Sequence, residues 1–334
     1  MKRVLSLAAF AALAVGSGAT SAAAETDTQA AFARPQQMVD IGGRRLNLYC
    51  SGSGPVTVVF DSPAGDAGWS WFKVQPQVAR RTRACVYDRA GLGFSDPSPR
   101  PGTAGNAVDD LHRLLQAAGI AAPYVMVGNS YGGGIVQLYT YRFPAEVKGL
   151  VLVEAQHEDE TARLNRASGG KLQAMYDMLR ANEKSCVDAS VAGFVAGSEL
   201  WNNCIGPLPA GRGRALAAAE LAHRSTAGYW RAAHSENTSF DVGDAELRAA
   251  RRSFGDLPLV VLSRGVSPYA VPGKPQSRLN KAMEDENLAL HKEMAALSTR
   301  GQHRVVAGAG HIIQFDQPDA VTGAISAILD ELQR

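Results

Sequence analysis

The chain of 334 residues lacks the features that define several large classes of proteins. Beyond an apolar stretch of about a dozen residues at its N terminus, it has no segment long and apolar enough to cross a bilayer, which argues against transmembrane helices. It has no Cys-x-x-Cys pair and no Cys/His cluster with zinc-like spacing, so we predict no bound metal. It also lacks internal repeats and low-complexity tracts after its Ala-rich leader, which excludes repeat arrays.

A large excess of charge of either sign is also missing. Lysine and arginine together number 34 and aspartate and glutamate 32, which gives a formal net charge of +2. Residues 1–24 contain Lys2 and Arg3 and no acidic residue, so the chain without them carries 32 side chains of each sign. A neutral protein has no long-range field that would attract nucleic acid or an anionic membrane. We therefore expect neither as a partner.

The first 24 residues have the organisation of a secretory signal peptide. Lys2 and Arg3 form a positive n-region, residues 4–15 an apolar h-region, and residues 22–24 a run of alanines typical of a cleavage site. An N-terminal membrane anchor is the alternative. We predict an exported protein, periplasmic or secreted, without stable membrane insertion after cleavage.

Four cysteines, an even number, suggest disulfides in an exported protein. Cys50 and Cys85 lie in two strand-like runs, and Cys186 and Cys204 lie close together in a helical region. Local pairing predicts the bonds Cys50–Cys85 and Cys186–Cys204. Four buried free thiols are the alternative.

The order of apolar and amphipathic segments predicts a sheet covered by helices on both faces. After a predicted hairpin at residues 37–50, apolar runs typical of buried strands alternate with helical segments. These runs are residues 56–60, 83–87, 124–127 and 147–153. The alternation predicts an α/β fold with a mostly parallel central sheet.

The alternation stops near residue 156. Residues 156–255 are polar, contain no convincing strand and are helical where a pattern is recognisable. The remaining predicted elements are a buried strand at 257–262, a helix at 280–297, a short strand at 303–306 and a closing helix at 318–332. We therefore predict a sheet domain formed by residues 36–155 and 256–334, with a helical insertion at 156–255.

Ser130 lies between two glycines, Gly128 and Gly132, where a buried strand ends and a helix begins. This pattern is typical of a nucleophile elbow, a turn so tight that a side chain at either glycine position would collide with the neighbouring strand or helix. The turn raises the serine hydroxyl above the sheet at the positive end of a helix. An ordinary Gly-rich turn is the alternative.

A serine hydroxyl needs a base to act as a nucleophile near neutral pH. His311 follows Gly310 on a loop between the last predicted strand and the closing helix. This position, at the carboxyl edge of a parallel sheet, predicts that the imidazole faces Ser130. A solvated loop histidine is the alternative.

Together these motifs resemble the α/β-hydrolase fold superfamily. Residues 87–95, Tyr-Asp-Arg-Ala-Gly-Leu-Gly-Phe-Ser, resemble the family's Asp-x-Arg-Gly-x-Gly-x-Ser loop, and the nucleophile precedes the histidine in the chain, as in the family. More narrowly, the chain resembles exported bacterial hydrolases whose elbow is followed by a helical cap. The resemblance implies an enzyme with a small-molecule substrate and no metal or organic cofactor. It says little about which substrate.

The resemblance also implies an acid that orients the histidine. The family usually has it after the strand at residues 257–262, but the chain has no Asp or Glu from there until Glu284. Relatives of the haloalkane-dehalogenase type have it after the strand at 147–153, where this chain has Glu154. We therefore predict Glu154, with a salt bridge at the base of the cap as its alternative role. Asp88 and Asp241 are weaker rivals, and we expect Asp88 to hold its own loop through Arg89.

The oxyanion hole of this family combines the N–H after the nucleophile with an N–H from the loop after an earlier strand. The first is Tyr131. The second loop, residues 61–65, departs from the usual His-Gly pattern, since Ser62 and Pro63 stand there. Proline has no N–H, so we predict Ala64 as the donor, with Gly65 as the alternative.

We interpret the chain as a serine hydrolase that cleaves a carboxylic ester, or an amide, of a small or medium organic substrate. A proline-iminopeptidase-like aminopeptidase is the first alternative, since such enzymes bind a free amino group with carboxylates. The candidates for that role are Glu158, Asp159, Glu160 and Glu236. A non-catalytic binding protein on the same scaffold is the second alternative. No feature indicates an oligomeric state.

Overall fold

The computed structural model describes residues 29–207, 210–271 and 273–334. The predicted signal peptide at residues 1–24 lies outside them and stays a prediction. In these residues eight strands form one sheet, in the order β1-β2-β4-β3-β5-β6-β7-β8. The strands are β1 Gln37–Asp40, β2 Arg45–Ser51, β3 Thr57–Asp61, β4 Arg83–Tyr87, β5 Tyr124–Asn129, β6 Val147–Val153, β7 Leu259–Arg264 and β8 Gly301–Val306.

The sheet is mostly parallel, as the alternation of strands and helices predicts. Only the pairs β1–β2 and β2–β4 among the described strands are antiparallel. The strands from β4 through β3, β5, β6 and β7 to β8 run parallel. Every residue of β3, β5 and β7 is buried. Continuous apolar runs are required here because helices cover both faces of a parallel sheet.

Helices cover the sheet in two layers. Leu111, Leu115 and Ile135 lie in the apolar layer on one face, and Trp71 and Ile325 lie in the layer on the other. The helices outside the segment between β6 and β7 are Gln75–Val78, Ala104–Ala117, Tyr131–Arg142, Arg278–Ala295, Ile313–Asp316 and Pro318–Leu332, with a 3₁₀ turn at Gly68–Trp71. No helix in the described part of the chain combines the length and apolar character needed to cross a bilayer.

The segment between β6 and β7 is helical, with no strand in its described residues. Its helices are Glu160–Ala167, Lys171–Ala192, Glu199–Cys204, Arg214–Arg224, Ala227–Thr238 and Phe240–Ala250. The last of these packs against the core, since its residue Leu247 is buried among the side chains of one apolar layer. The helical segment is thus attached to the sheet domain by hydrophobic contact as well as through the chain.

Two disulfides join the four cysteines in the two predicted pairs. Cys50 and Cys85 lie directly opposite each other on β2 and β4, with an S–S distance of 2.09 Å. Cys186 and Cys204 join the helices Lys171–Ala192 and Glu199–Cys204, with an S–S distance of 1.99 Å. One bond therefore links neighbouring strands of the sheet and the other closes a loop of the helical segment.

Polar residues lie at the carboxyl ends of four neighbouring parallel strands, β3, β5, β6 and β7. Asp61 ends β3, Asn129 ends β5, Glu154 follows β6 directly and Arg264 ends β7. All four are buried. A buried polar side chain is costly unless it has hydrogen-bonding partners, so this row marks the edge where the fold places its polar chemistry.

Candidate active site

Ser130 lies in a strained turn between β5 and the helix Tyr131–Arg142. Its backbone angles, φ 54° and ψ −121°, lie in a region that non-glycine residues rarely adopt. A Cβ on Gly128 would lie 2.3 Å from the Gly132 carbonyl oxygen, and a Cβ on Gly132 would lie 2.5 Å from that of Asp61. Both positions therefore need glycine, for the steric reason expected from the sequence. The Ser130 side chain stays partly exposed.

Glu154 is held in a similarly strained backbone conformation, with φ 45°. Ser130 and Glu154 are the two non-glycine residues of the described ranges with positive φ. The Glu154 N–H donates a hydrogen bond to the Leu262 carbonyl at 2.8 Å, which extends the β6–β7 pairing past the end of β6. Strain of this kind persists only where the surrounding structure fixes it, and it concentrates at functional sites.

Glu154 contacts His311 at the carboxyl edge of the sheet. The distance from His311 Nδ1 to Glu154 Oε2 is 3.4 Å. The Glu154 side chain is almost fully buried, whereas that of His311 is 40% exposed. A carboxylate at this position favours the tautomer with the proton on Nδ1, which leaves Nε2 as a proton acceptor.

Arg264 binds the same carboxylate. Its backbone N–H donates to Glu154 Oε1 at 2.8 Å, and its Nη1 forms an ion pair with Oε2. Asn287 Nδ2 lies 3.4 Å from Oε1. Glu154 therefore makes both contacts considered from the sequence, the hydrogen bond to His311 and a salt bridge.

These partners keep Glu154 ionised. Burial alone would raise the pKa of Glu154. The hydrogen bond from His311, the charge that His291 gains on protonation at low pH and the charge of Arg264 outweigh burial and lower the pKa from 4.5 to about 2. The carboxylate is therefore an anion throughout the range in which an imidazole titrates.

Asn129 joins the elbow to the loop that carries His311. Its Nδ2 donates to the carbonyl oxygens of Val153 at 2.7 Å and His311 at 3.3 Å, and its Oδ1 accepts from Gln314 at 3.0 Å. No hydrogen bond joins Ser130 Oγ to the His311 ring in the described structure. Hydrogen bonds between a nucleophile and its base often tighten only when a substrate is bound.

Arg89 holds the loop after β3 in shape. Its guanidinium donates to the carbonyl oxygens of Ser62 at 2.6 Å and Pro63 at 2.8 Å. It also pairs with the carboxylates of Asp61 at 2.5 Å and Glu236 at 2.6 Å. All of its hydrogen-bonding groups are used, and the side chain is buried. The two carbonyls of the loop are therefore turned towards Arg89.

The backbone N–H groups of the same loop differ in their partners. Gly65 N–H donates to Glu236 Oε2 at 2.8 Å and is therefore occupied. Ala64 N–H has no hydrogen-bond acceptor among the described residues, and neither has Tyr131 N–H. Tyr131 is the first residue of its helix, where N–H groups have no partner within the helix. Of the two donors considered for this loop, Ala64 is the one that is free.

Asp88 holds its own loop, but through backbone N–H groups and not, as expected, through Arg89. The Asp88 carboxylate accepts from the backbone N–H groups of Gly68 at 2.8 Å and Phe94 at 2.9 Å. These groups satisfy Asp88 locally, so Arg89 is free to extend to Asp61 and Glu236. Asp241, the other rival acid, is exposed at the start of the helix Phe240–Ala250.

Three of the four carboxylates considered as ligands for an amino group already have arginine partners. Glu158 pairs with Arg251, and Asp159 pairs with Arg248 at 2.7 Å. Glu236 is held by Arg89, as described above. The group His157, Glu158 and Asp159 is the one set in the described residues compact enough to hold a metal ion. Arginine cations already neutralise its carboxylates.

Glu160 has no arginine partner in the described residues. The distance from its Oε2 to the His157 backbone N is 3.4 Å, and the side chain is partly exposed. Burial raises the pKa of Glu160, while the nearby charge of His311 lowers it. This carboxylate is therefore free to receive a cation close to His311.

Two features of the site were missed from the sequence. Arg264 lies at the end of β7, the strand after which the family usually has its acid. The lack of an Asp or Glu after that strand was the signal available in the sequence. Glu236 reaches Arg89 across 147 positions of sequence. No local pattern connects two residues so far apart, so the sequence carries no signal of this pair.

Comparison with known proteins identifies the family. A family profile described as "alpha/beta hydrolase fold" matches residues 63–239, which is more than half of the chain. The chain therefore belongs to the α/β-hydrolase fold family, and the fold class expected from the sequence is confirmed.

Individual relatives match over less of their length. The chain is 34% identical over 128 residues to the 2-hydroxymuconate semialdehyde hydrolase of a Pseudomonas species, which is 36% of this chain and 45% of that protein. The chain thus spans less than half of the curated relatives that it matches.

Solved structures match over nearly the whole chain, but at low identity. A meta-cleavage product hydrolase from Pseudomonas fluorescens superposes with a TM-score of 0.59 at 20% identity, over 90% of this chain and 99% of that one. A thermophilic esterase from Thermogutta terrifontis does so with a TM-score of 0.56 at 18% identity, over 90% of this chain and 100% of that one. These likenesses establish the fold.

Proposed function

We propose that the protein is a serine hydrolase that cleaves a carboxylic ester, or an amide, of a small or medium organic substrate. The observation that carries the proposal is the convergence of Ser130, Glu154 and His311 at one edge of the sheet. The two strained residues come from neighbouring strand ends, and His311 contacts Glu154 at 3.4 Å. Family membership adds support, since the relative and the two structures described above are named as two hydrolases and an esterase.

In the proposed reaction Ser130 Oγ attacks the carbonyl carbon and His311 Nε2 takes the hydroxyl proton. Glu154 fixes the imidazole and stabilises its protonated form. His311 then donates the proton to the leaving alcohol or amine, and an acyl-enzyme remains on Ser130. Water, deprotonated by His311, attacks the acyl group and regenerates the serine.

The N–H groups of Tyr131 and Ala64 are proposed to stabilise the oxyanion. Both lack acceptors in the described structure, and they belong to the two turns on which this family builds its oxyanion hole. Arg89 supports the assignment, because it turns the carbonyls of Ser62 and Pro63 away from the position of the oxyanion.

We further propose that the helical segment at residues 156–255 is a cap and that residues 36–155 and 256–334 form the core domain. The segment consists of helices in its described residues and reaches the oxyanion loop through Glu236. An exported protein, cleaved after residue 24, is part of the same proposal. Two disulfides are compatible with that location.

One observation keeps the aminopeptidase as a second candidate. Glu160, free of an arginine partner in the described structure, lies near His311 and could bind the amino group of a substrate. The other three carboxylates considered for this role are already paired with arginines, and for this reason we favour ester hydrolysis.

Two assays test these assignments. A fluorophosphonate probe reacts only with an activated serine, so it should label the wild type and leave S130A unlabelled. The absence of label on the folded wild type would favour a binding protein without catalysis. A panel of p-nitrophenyl acyl esters, compared with proline p-nitroanilide, separates the two enzymes. Turnover of the anilide alone would replace the esterase by the aminopeptidase.

A further inference from the structure

Arg264 is a buried cation between two carboxylates. It is the last residue of β7, and 6% of its side chain is exposed. On one side it binds Glu154 through its backbone N–H and Nη1. On the other side its Nε and Nη2 each bind Glu284 at 3.0 Å. The four groups form a line that runs from Glu284 through Arg264 and Glu154 to His311.

Arg264 and His311 share one carboxylate oxygen. Glu154 Oε2 accepts from Arg264 Nη1 and also lies 3.4 Å from His311 Nδ1. A carboxylate that is bound by a guanidinium has less charge to offer a second donor. The positive charge of Arg264 also opposes the formation of an imidazolium close by.

The other groups that face Glu154 do not replace this cation. From the helix Arg278–Ala295, Asn287 is neutral and His291 Nδ1 lies 3.6 Å from Glu154 Oε1. Burial lowers the pKa of His291 to about 4, so the ring is neutral near pH 7. His303 reaches His291 only through the Ser263 hydroxyl, at 2.7 and 2.5 Å.

On the His311 side, the first helix of the proposed cap brings the carboxyl group of Glu160 towards the imidazole, and burial raises the pKa of that group. Arg264 is thus the one permanent cation among the described residues that faces Glu154. The family usually has its acid after the strand that is β7 in this chain, and here Arg264 ends that strand instead. The arginine binds Glu154, the acid that follows the neighbouring strand β6.

We propose that Arg264 is a positioning residue that fixes the Glu154 carboxylate and, by sharing its charge, makes His311 a weaker base than it would be beside an unshared carboxylate. The catalytic role of Arg264 in this inference rests on the proposed function. The electrostatic coupling of Arg264 to the His311 imidazole can be measured without any substrate.

The test is an NMR titration of the His311 ring, assigned by comparison with H311Q, in the wild type and in R264Q. Loss of the arginine charge should raise the His311 midpoint by about one pH unit. R264K, which keeps the charge, should titrate within about 0.3 units of the wild type. The acid limb of kcat/KM for the best ester should move with the midpoint, since the neutral imidazole is the reactive form.

R44Q is the matched control. It breaks the Arg44–Asp110 pair, whose side chains are 14% and 8% exposed, between the turn that precedes β2 and the helix Ala104–Ala117, and it should leave the His311 midpoint in place. A folded R264Q with an unchanged midpoint would overturn the proposal, as would an R264K that shifts as far as R264Q. If R264Q does not fold, E284Q tests the proposal instead. Removal of the Glu284 anion should lower the His311 midpoint. An unchanged midpoint would refute the coupling between Arg264 and His311. Failure of fluorophosphonate labelling would refute the serine-hydrolase assignment, but the NMR titration of His311 would still test the coupling to Arg264.

Discussion

Glu236 accepts the backbone N–H of Gly65 at 2.8 Å, so a side chain of the helical segment is bonded directly to the loop that carries Ala64. The same carboxylate holds Arg89, which in turn binds the two carbonyl oxygens of that loop. The shape of the proposed oxyanion hole therefore depends on a residue outside the sheet domain. Movement of the helix Ala227–Thr238 away from the core would release the loop.

Substitution of Glu236 by alanine should lower kcat more than it raises KM. Loss of one oxyanion donor costs enzymes about 10²- to 10³-fold, and a loosened loop should cost about 10- to 100-fold. Steady-state kinetics with the best p-nitrophenyl ester measures the effect. E246A is the matched control, since Glu246 also accepts a backbone N–H, that of Gly105 at 2.7 Å, but forms no hydrogen bond to the loop at residues 61–65 or to Arg89 in the described structure. Equal losses in the two variants would contradict the role assigned to Glu236.

The glycine after the nucleophile should be intolerant of a methyl group. A Cβ on Gly132 would lie 2.5 Å from the backbone carbonyl oxygen of Asp61, and neither backbone can move without distorting β3 or the elbow. We expect G132A to lose about 3 kcal/mol of unfolding free energy or more. In G134A, on the same helix, the nearest atom to the new Cβ is a Leu247 methyl group at 3.3 Å.

Urea denaturation compares the two variants. G134A should lie within about 1 kcal/mol of the wild type, because alanine favours a helix over glycine and the leucine side chain can adjust. A G132A variant as stable as G134A would show that the turn is looser than its geometry indicates.

Replacement of Glu154 by glutamine should remove the orientation of His311 while preserving the shape of the side chain. An amide can donate to Nδ1 and stabilise the wrong tautomer, so kcat should fall by about three to four orders of magnitude with little change in KM. Kinetics on a variant whose circular dichroism matches the wild type provides the measurement. A near wild-type rate would assign the acid to another residue.

The sequence allowed prediction of those parts of the site that depend on local rules. Gly128 and Gly132 are required by sterics within a few residues, and the apolar run of β6 ends at Glu154, so the strand ends and the elbow could be located from pattern alone. The parallel sheet followed from the same alternation. Each of these features depends on short-range geometry that repeats wherever a buried strand meets a helix.

The parts that could not be predicted depend on contacts between distant segments. Asp88 was paired with Arg89 because they are neighbours in sequence, yet the backbone N–H groups of Gly68 and Phe94 satisfy Asp88 first. Arg89 is then turned towards Glu236, whose place in the fold is set by how the helices of residues 156–255 pack. Polar and Ala-rich helices carry no pattern that fixes this packing in advance.

The two disulfides should stabilise the fold without taking part in the chemistry. Cys50–Cys85 closes a loop with a sequence separation of 35 and Cys186–Cys204 one of 18, for which loop-closure entropy suggests about 3 to 4 kcal/mol each. C50A/C85A should therefore melt at a lower temperature and hydrolyse the ester at the wild-type rate well below that temperature. If reductant left the melting temperature of the wild type unchanged, neither bond would be contributing.

The depressed pKa of Glu154 should also appear in the stability of the protein at low pH. Folding lowers the pKa of this carboxyl from 4.5 to about 2, so the folded state favours the anion. The stabilisation is fully present above pH 4.5 and is lost as the pH falls towards 2, where the unfolded chain binds the proton first. Urea denaturation measures the free energy of unfolding at pH 6 and at pH 3. Between these two values the wild type should lose about 2 kcal/mol more of it than E154Q, which has no proton to gain at this position. Equal losses of unfolding free energy in the wild type and E154Q would mean that Arg264 and His311 do not hold Glu154 in its ionised form.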